Sequence, residues 1–230
     1  MSESIIVGCP VKDRAWILPE WYKRVLDATP GYNVDFLFVA EEGDDATQAL
    51  ASAYGEVVMV DNAGYPDNHG WSDKTRIQYM TDLRNILLGK VREKSPDYFF
   101  SLDSDILIPK EMFRNLRETL QSDKIGAVGG FTYMEPVSAK ATSFAVKRRS
   151  KSFRRVTSPG VHQVDYIMAI KLMKPEAYNV HYAFNKFGED IGWCDAAAEN
   201  GVVLYCDGRI AAKHVMDREG LTRLDKRVGY

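Results

Sequence analysis

Asp103-Ser104-Asp105 sets two carboxylates two positions apart, directly behind the apolar run 98–102, YFFSL. In an extended segment, residues i and i+2 point the same way. Two carboxylates so placed converge on one hard cation, with diphosphate oxygens completing its shell. Aspartates in a turn also cap backbone amides. The position lifts this tripeptide above an ordinary turn, because open α/β sheets bind ligands outside the carboxyl ends of their strands.

A second constellation is Gly188-Glu189-Asp190-Ile191-Gly192-Trp193-Cys194. Acidic residues opening a helix favour the positive end of its dipole. The same carboxylates can do chemistry: Asp190 beside a bound hydroxyl would accept its proton as that oxygen attacks. Trp193 offers either an apolar face to a sugar ring or an ordinary core side chain. The third is His214, closing the run 210–214, IAAKH. An imidazole added to two carboxylates moves the metal preference from Mg²⁺ toward Mn²⁺.

These residues need elements to hold them. The pattern predicts strands over 4–8, 33–40, 57–60 and 98–102, with Pro10 stopping the first. It predicts helices over 15–28, 44–54 and 73–94, the last with Ile77, Met80, Leu83, Leu87 and Val91 as a core-facing stripe. Alternation of this kind implies a mainly parallel sheet covered by helices. A polar loop over 61–72, ending near Trp71, is an expected lid or acceptor wall. Further on, a helix is expected over 110–122, strands over 125–131, 163–170, 202–206 and 210–214, and a helix from 187–190 to about 200. The basic stretch 147–155 reads as a loop, and the polar tail 215–230 as mobile. No repeat or linker divides the chain. One domain is expected, with two functional halves over about 1–106 and about 107–214, which the resemblance named below implies to be a nucleotide-sugar-binding half and an acceptor half.

The composition supports this and excludes other classes. At 230 residues and 45% apolar, the chain can bury one sizeable core. Thirty basic against 32 acidic residues give a net charge of −2, so no global basic field points to nucleic acid. No apolar stretch is long enough for a bilayer, and the N-terminus lacks a basic leader. Cys9, Cys194 and Cys206 are odd in number and contain no C-x-x-C pair, which favours a reducing, cytoplasmic setting. Gly8-Cys9-Pro10-Val11 is no dinucleotide fingerprint, and P-loop, G-x-S-x-G and H-E-x-x-H motifs are absent.

A strand ending in D-x-D, then G-E-D-x-x-W, then a lone His is the order found in nucleotide-sugar-dependent glycosyltransferases of the GT-A fold. The chain resembles them over about 5–214, and is most similar to their large inverting family. FGEDIGWCDAAAENG is similar to that family's acceptor-site helix, and Arg84-Asn85 to its Arg-Asn pair. The resemblance implies a single-domain α/β GT-A architecture and a metal-dependent transferase using Mn²⁺ or Mg²⁺. Asp103 would lie near the ribose or the metal, with Ser104 beside it. Asp105 and His214 would ligate the metal. Pro10, Lys12, Asp13 and Arg14 would frame the nucleotide, and Arg84 would serve the donor side. Asp61 is the candidate for the family's carboxylate after the third strand. Asp190 would be the base, implying inversion, with Glu189 and Trp193 toward the acceptor. UDP-sugars are expected first as donors, and GDP-sugars next.

Six basic residues crowd 147–155: Lys147, Arg148, Arg149, Lys151, Arg154 and Arg155. They suggest a local grip on an anionic acceptor such as modified DNA, a polyprenyl phosphate or a glycan. Tight duplex binding is not favoured at this net charge. The basic tail is expected to order over a bound nucleotide. Two alternatives stay open: a sugar-phosphate nucleotidylyltransferase, and a non-catalytic nucleotide-sugar or glycan-binding module.

Overall fold

The computed structural model describes residues 3–41, 43, 45–61, 73–135, 146–149 and 152–227. Its first half alternates strand and helix: β1 (Ser4–Val11), α1 (Leu18–Ala28), β2 (Asn33–Glu41), α2 (Thr47–Tyr54), β3 (Glu56–Val60), α3 (Lys74–Lys94) and β4 (Tyr98–Leu102). These strands lie side by side as β3-β2-β1-β4, all parallel. Helices cover both faces, so β1, β4 and most of β2 are apolar on both sides, while the edge strand β3 stays partly exposed. Ile5, Val7, Cys9 and Val11 of β1 pack on one face with Trp21, Phe36 and Phe38. Ile6, Leu37 and Val39 pack on the other, against Leu83 and Leu87 of α3.

β1 runs past Pro10 to Val11, longer than the sequence suggests. β4 pairs with β1 only as far as Gly8, while β2 continues alongside. One flank is therefore already open at Pro10, where a missing N–H is tolerated.

The second half adds β5 (Ile106–Leu107), α4 (Met112–Leu120), β6 (Ala127–Glu135), β7 (Val146–Arg149), β8 (Ser152–Arg155), β9 (Val161–Val164), β10 (Ile170–Met173), α5 (Pro175–Tyr178), α6 (Glu189–Glu199), β11 (Leu204–Val215) and α7 (Arg218–Arg227). Here the sheet becomes mixed. β10 is antiparallel to both β4 and β6, and β11 is parallel to β6 but antiparallel to β5 and β9.

Four expectations change. The strand expected over 163–170 is two strands, β9 and β10, which join different neighbours. The two closing strands are one strand, β11, whose break is a bulge between Asp207 and Ala211. Arg209 spans that bulge, donating to Asp207, to Glu118 and to the Asn115 carbonyl. The basic stretch 147–155 is not a loop over its described residues, where β7 pairs antiparallel with β8. The tail 215–230, expected to be mobile, carries a helix, α7, over its described residues.

Candidate active site

The carboxyl ends of the parallel strands lead into the residues expected on the donor side. β1 leads into Lys12, Asp13 and Arg14, β3 into the exposed Asp61, and β4 into Asp103. Asp13 has a positive φ of 52°, and its carbonyl accepts from the Trp16 indole at 3.2 Å. The Arg14 amide donates to Thr47 Oγ1 at 2.6 Å, and the Ala15 amide to Asp45 at 3.1 Å. α2 thus props the loop behind β1. Lys12 pairs with Glu41 at the end of β2, at 3.4 Å.

Asp103-Ser104-Asp105 is a turn and not an extended segment, closed by Ile106 N–H donating to the Asp103 carbonyl at 3.0 Å. The two carboxylates therefore do not share a face. Asp103 Oδ1 accepts from Arg84 Nη2 at 2.8 Å. Asp105 turns to His214 Nε2, at 3.4 Å, and to Arg14 Nη2, at 3.5 Å. Strand register explains the His214 contact, since β11 places His214 opposite Ile106, next to Asp105. Burial would raise Asp105, but the hydrogen bond and charge of His214, and then Arg14, hold it below its ordinary value. Burial would lower His214, yet Asp105 raises it above its own. Among the described residues no three His, Cys, Asp or Glu side chains are gathered tightly enough to hold a metal ion unaided. The donor chemistry does fit a divalent cation: a carboxylate and an imidazole are already in contact, and Asp103 stands two positions from Asp105 in the same turn.

The acidic pair expected on the acceptor side opens α6. Gly188, with a φ of 135°, turns the chain into the helix. The helix then packs so closely that a Cβ on Gly192 would lie 1.8 Å from the Ala183 carbonyl oxygen. Glu189 Oε1 lies 3.3 Å from Arg84 Nε, and Asp190 Oδ1 lies 3.9 Å from the same nitrogen. Arg84 thus joins the D-x-D turn to the acidic helix start. It is itself buried, and Asn85 beside it brackets Tyr182 with bonds to that residue's carbonyl and amide. Burial and then the Asp190 charge push Glu189 up, and Arg84 offsets only part of that. Burial would raise Asp190 too, but Lys171 and then Arg84 hold it below the ordinary carboxylate range.

Trp193 does not belong to an acceptor surface. It is 0% exposed and lies in the core with its ring centroid 6.0 Å from that of Tyr182. The inward face of α6 takes it, because Ile191 and Cys194 pack in the same cluster. Phe187, by contrast, is 65% exposed just ahead of Glu189, with Lys186 Nζ 5.0 Å from its ring centre. Sequence reasoning missed Phe187, and it missed Lys171, which ion-pairs with Asp190 at 2.5 Å. The one available signal for Lys171 was a charge inside the apolar run IMAIKLM.

The loop 62–72 with Trp71 lies outside the described residues, as do Lys151 and the side chains of Lys147, Arg148, Arg149 and Arg154. Arg155 is exposed at the end of β8. On α7, Arg218 is close enough for its charge to act on Asp45, the residue that holds the loop behind β1. No described helix is long and apolar enough to cross a membrane.

No family model and no curated protein matches the sequence. Solved structures do match. S. aureus TarS 1–349 aligns at a TM-score of 0.63 and 15% identity, covering 93% of this chain and 60% of that one. The chain has the GT-A fold. A Pyrobaculum calidifontis mannosyltransferase in complex with GDP-Man and Mn²⁺ aligns to this GT-A fold at a TM-score of 0.58 and 12% identity, covering 99% of this chain and 61% of the other. Glucosyl-3-phosphoglycerate synthase from Mycobacterium tuberculosis, in complex with Mn²⁺ and UDP, aligns at 0.56 and 15%, covering 98% and 77%. The chain thus spans about 60% of the first two structures.

Proposed function

We propose that this GT-A chain is a metal-dependent glycosyltransferase that moves a sugar from a nucleoside-diphosphate donor to an acceptor hydroxyl. The observation that carries this reading is the Arg84 bridge, 2.8 Å to Asp103 and 3.3 Å to Glu189. Through the buried Arg84 it ties the partly exposed Asp103, on the proposed diphosphate side, to a pair of acids at the start of α6. A transferase needs that geometry, with donor and acceptor groups within one reaction distance.

Asp105 and His214, with Asp103 beside them, would hold Mn²⁺ or Mg²⁺. A cation there stabilises the negative charge that grows on the leaving diphosphate. Lys12, Asp13 and Arg14 border the nucleotide, with Pro10, Asp61 and Ser104 around it. Asp190 accepts the acceptor's proton as the new glycosidic bond forms and the bond to diphosphate breaks, which gives inversion. Glu189 and the exposed Phe187 ring border the acceptor, Phe187 as a stacking face for a sugar. UDP-sugars are the first choice of donor: TarS has been crystallised with UDP-GlcNAc. GDP-sugars follow. The basic hairpin β7–β8 would grip an anionic acceptor.

A nucleotidylyltransferase would need a glycine-rich loop at the end of β1, where this chain has Cys9-Pro10-Val11 still in the strand and then Lys12. A purely binding module would have no use for acids buried against two cations. A thermal-shift screen of UDP, GDP, CDP and dTDP, each with Mn²⁺ or EDTA, tests the site. A ligand at 100 times its Kd adds ~2.7 kcal/mol, a shift of a few degrees. A shift with one nucleotide that vanishes in EDTA is expected, and release of nucleoside diphosphate should follow with the matching sugar. Release of pyrophosphate would instead support the nucleotidylyltransferase.

A further inference from the structure

β10 is an interior strand, and its four residues Ile170, Lys171, Leu172 and Met173 are all buried. Ile170 and Leu172 face the core cluster that contains α1 and α4. Lys171 faces the other side with Met173, toward α3 and α6. It is 0% exposed. A leucine or methionine would fill this place without removing an ammonium from water, which is costly unless a counter-charge and hydrogen bonds replace the lost solvent. The reason for a lysine must lie at its Nζ.

That nitrogen is 2.5 Å from Asp190 Oδ1. The rings of Tyr182 and Trp193 wall it in, with centroids 5.6 and 5.9 Å away. Other charged or titratable groups surround Asp190: Arg84 from α3, Glu189 and Cys194 from α6, and Tyr182 from the segment before α6, with Asp103 beyond Arg84. Arg84 makes its hydrogen bonds to Asp103 and Glu189 and stands 3.9 Å from Asp190. The direct cationic hydrogen bond to Asp190 comes from Lys171. The Asp190 side chain nonetheless keeps 14% of its surface exposed, so the paired carboxylate is not sealed from solvent.

We infer that Lys171 is a positioning residue for proton transfer, anchoring one oxygen of Asp190 from inside the sheet so that the ionised carboxylate presents its open edge to the acceptor hydroxyl. The inference rests on the reading of Asp190 as the base. As the acceptor oxygen bonds to the anomeric carbon and the diphosphate departs with its bonding electrons, the hydroxyl proton passes to Asp190. Lys171 stays protonated throughout and supplies neither proton nor electrons. The pair costs Asp190 some intrinsic basicity, but it keeps the carboxylate charged and aimed in a buried setting that would otherwise neutralise it.

The test compares wild type with Lys171→Met, Lys171→Arg, Asp190→Asn and the Lys171→Met/Asp190→Asn double variant. Probes are UDP-GlcNAc and GDP-mannose, each with Mn²⁺, followed by nucleotide release. In Lys171→Met the nucleotide thermal shift and donor KM should hold, while kcat falls at least about tenfold, less than the 10²–10⁴-fold that a positioned base itself contributes. The acidic limb of kcat against pH should move to higher pH, because the Asp190 carboxylate loses its cation. Lys171→Arg should recover part of the rate. In the double variant the Lys171 effect should disappear, since both act through one carboxylate. Wild-type kcat and pH profile in Lys171→Met, with Asp190→Asn inactive, overturns the positioning role and leaves the base standing. Full activity in Asp190→Asn, or no turnover of either donor by wild type, removes the base reading and this inference with it. Should Lys171→Met fail to fold, nitrogen-15 NMR of the lysine ammonium groups decides the pairing. A solvent-protected signal that moves in Asp190→Asn supports it, and a signal indifferent to that change overturns it.

Discussion

Arg84 Nη2 donates to Asp103 Oδ1 at 2.8 Å, linking the middle of α3 to the turn that follows β4. The same guanidinium reaches Glu189 through Nε. Burial would lower Arg84, but Asp103 and Asp190 outweigh it and keep the guanidinium firmly charged. Truncation to alanine leaves Asp103 and Glu189 without that cation in a buried site. Arg84→Ala should therefore lose about 3–5 kcal/mol of stability, measured by urea unfolding. Arg84→Lys should recover only part, because a single ammonium cannot span both carboxylates with a rigid fork. Wild-type stability in Arg84→Ala would show that the bridge contributes nothing.

Asp105 and His214 face one another at 3.4 Å with side chains only partly exposed. If they hold the cation, Asp105→Ala should abolish the EDTA-sensitive part of the nucleotide thermal shift, and His214→Ala should weaken it. Both variants should still melt cooperatively without nucleotide, since neither residue is in the apolar core. An EDTA-sensitive shift persisting at full size in Asp105→Ala would place the metal elsewhere.

Asp207 closes the β11 bulge. Burial would raise its pKa, but the hydrogen bonds from Arg209, and then from Thr119, set it below the ordinary value. A carboxylate lowered on folding contributes stability that is complete above the unfolded value, about 3.9. That contribution is lost as the pH falls through the lower folded value. Unfolding midpoints measured between pH 6 and pH 2 should thus drop more steeply for wild type than for Asp207→Asn. At pH 7 the variant should be weaker by about 1–3 kcal/mol, having lost the charged partner of Arg209. Parallel curves for the two proteins would contradict this.

Gly192 permits the contact between α6 and the chain at Ala183, where a Cβ would lie 1.8 Å from a carbonyl oxygen. Gly192→Ala must push the helix start away, carrying Glu189 and Asp190 with it. A displacement of about 1 Å in a catalytic group can cost about 10²-fold in rate. Turnover should fall far more than the nucleotide thermal shift, because the loop behind β1 is held separately by Thr47 and Asp45. Equal losses in both would mean that α6 supports the whole fold and not just the acceptor side.

Much of the first half was legible because its signals are local. Apolar runs such as NVDFLFVA and YFFSL form strands buried on both faces. The α3 stripe is read from spacing, and Asp73 caps that helix by accepting from the Thr75 and Arg76 amides. The second half was harder. A bulge bridged by Arg209 looks in sequence like a break between two strands, and a basic hairpin looks like a loop.

By itself the sequence determined which residues could do chemistry and where along the chain they fall: a carboxylate pair behind a strand, an acidic pair opening a helix, and a histidine ending an apolar run. Turn chemistry, periodicity and helix starts depend on neighbours a few positions away, so one chain suffices to read them. Tertiary structure decided their partners. Asp103 turned to Arg84, Asp105 turned to His214, Trp193 went into the core, and Asp190 met a lysine from the middle of the sheet. Arg84 and Glu189 stand 105 positions apart. Contacts at that range follow from strand order and helix docking, which only the folded sheet specifies.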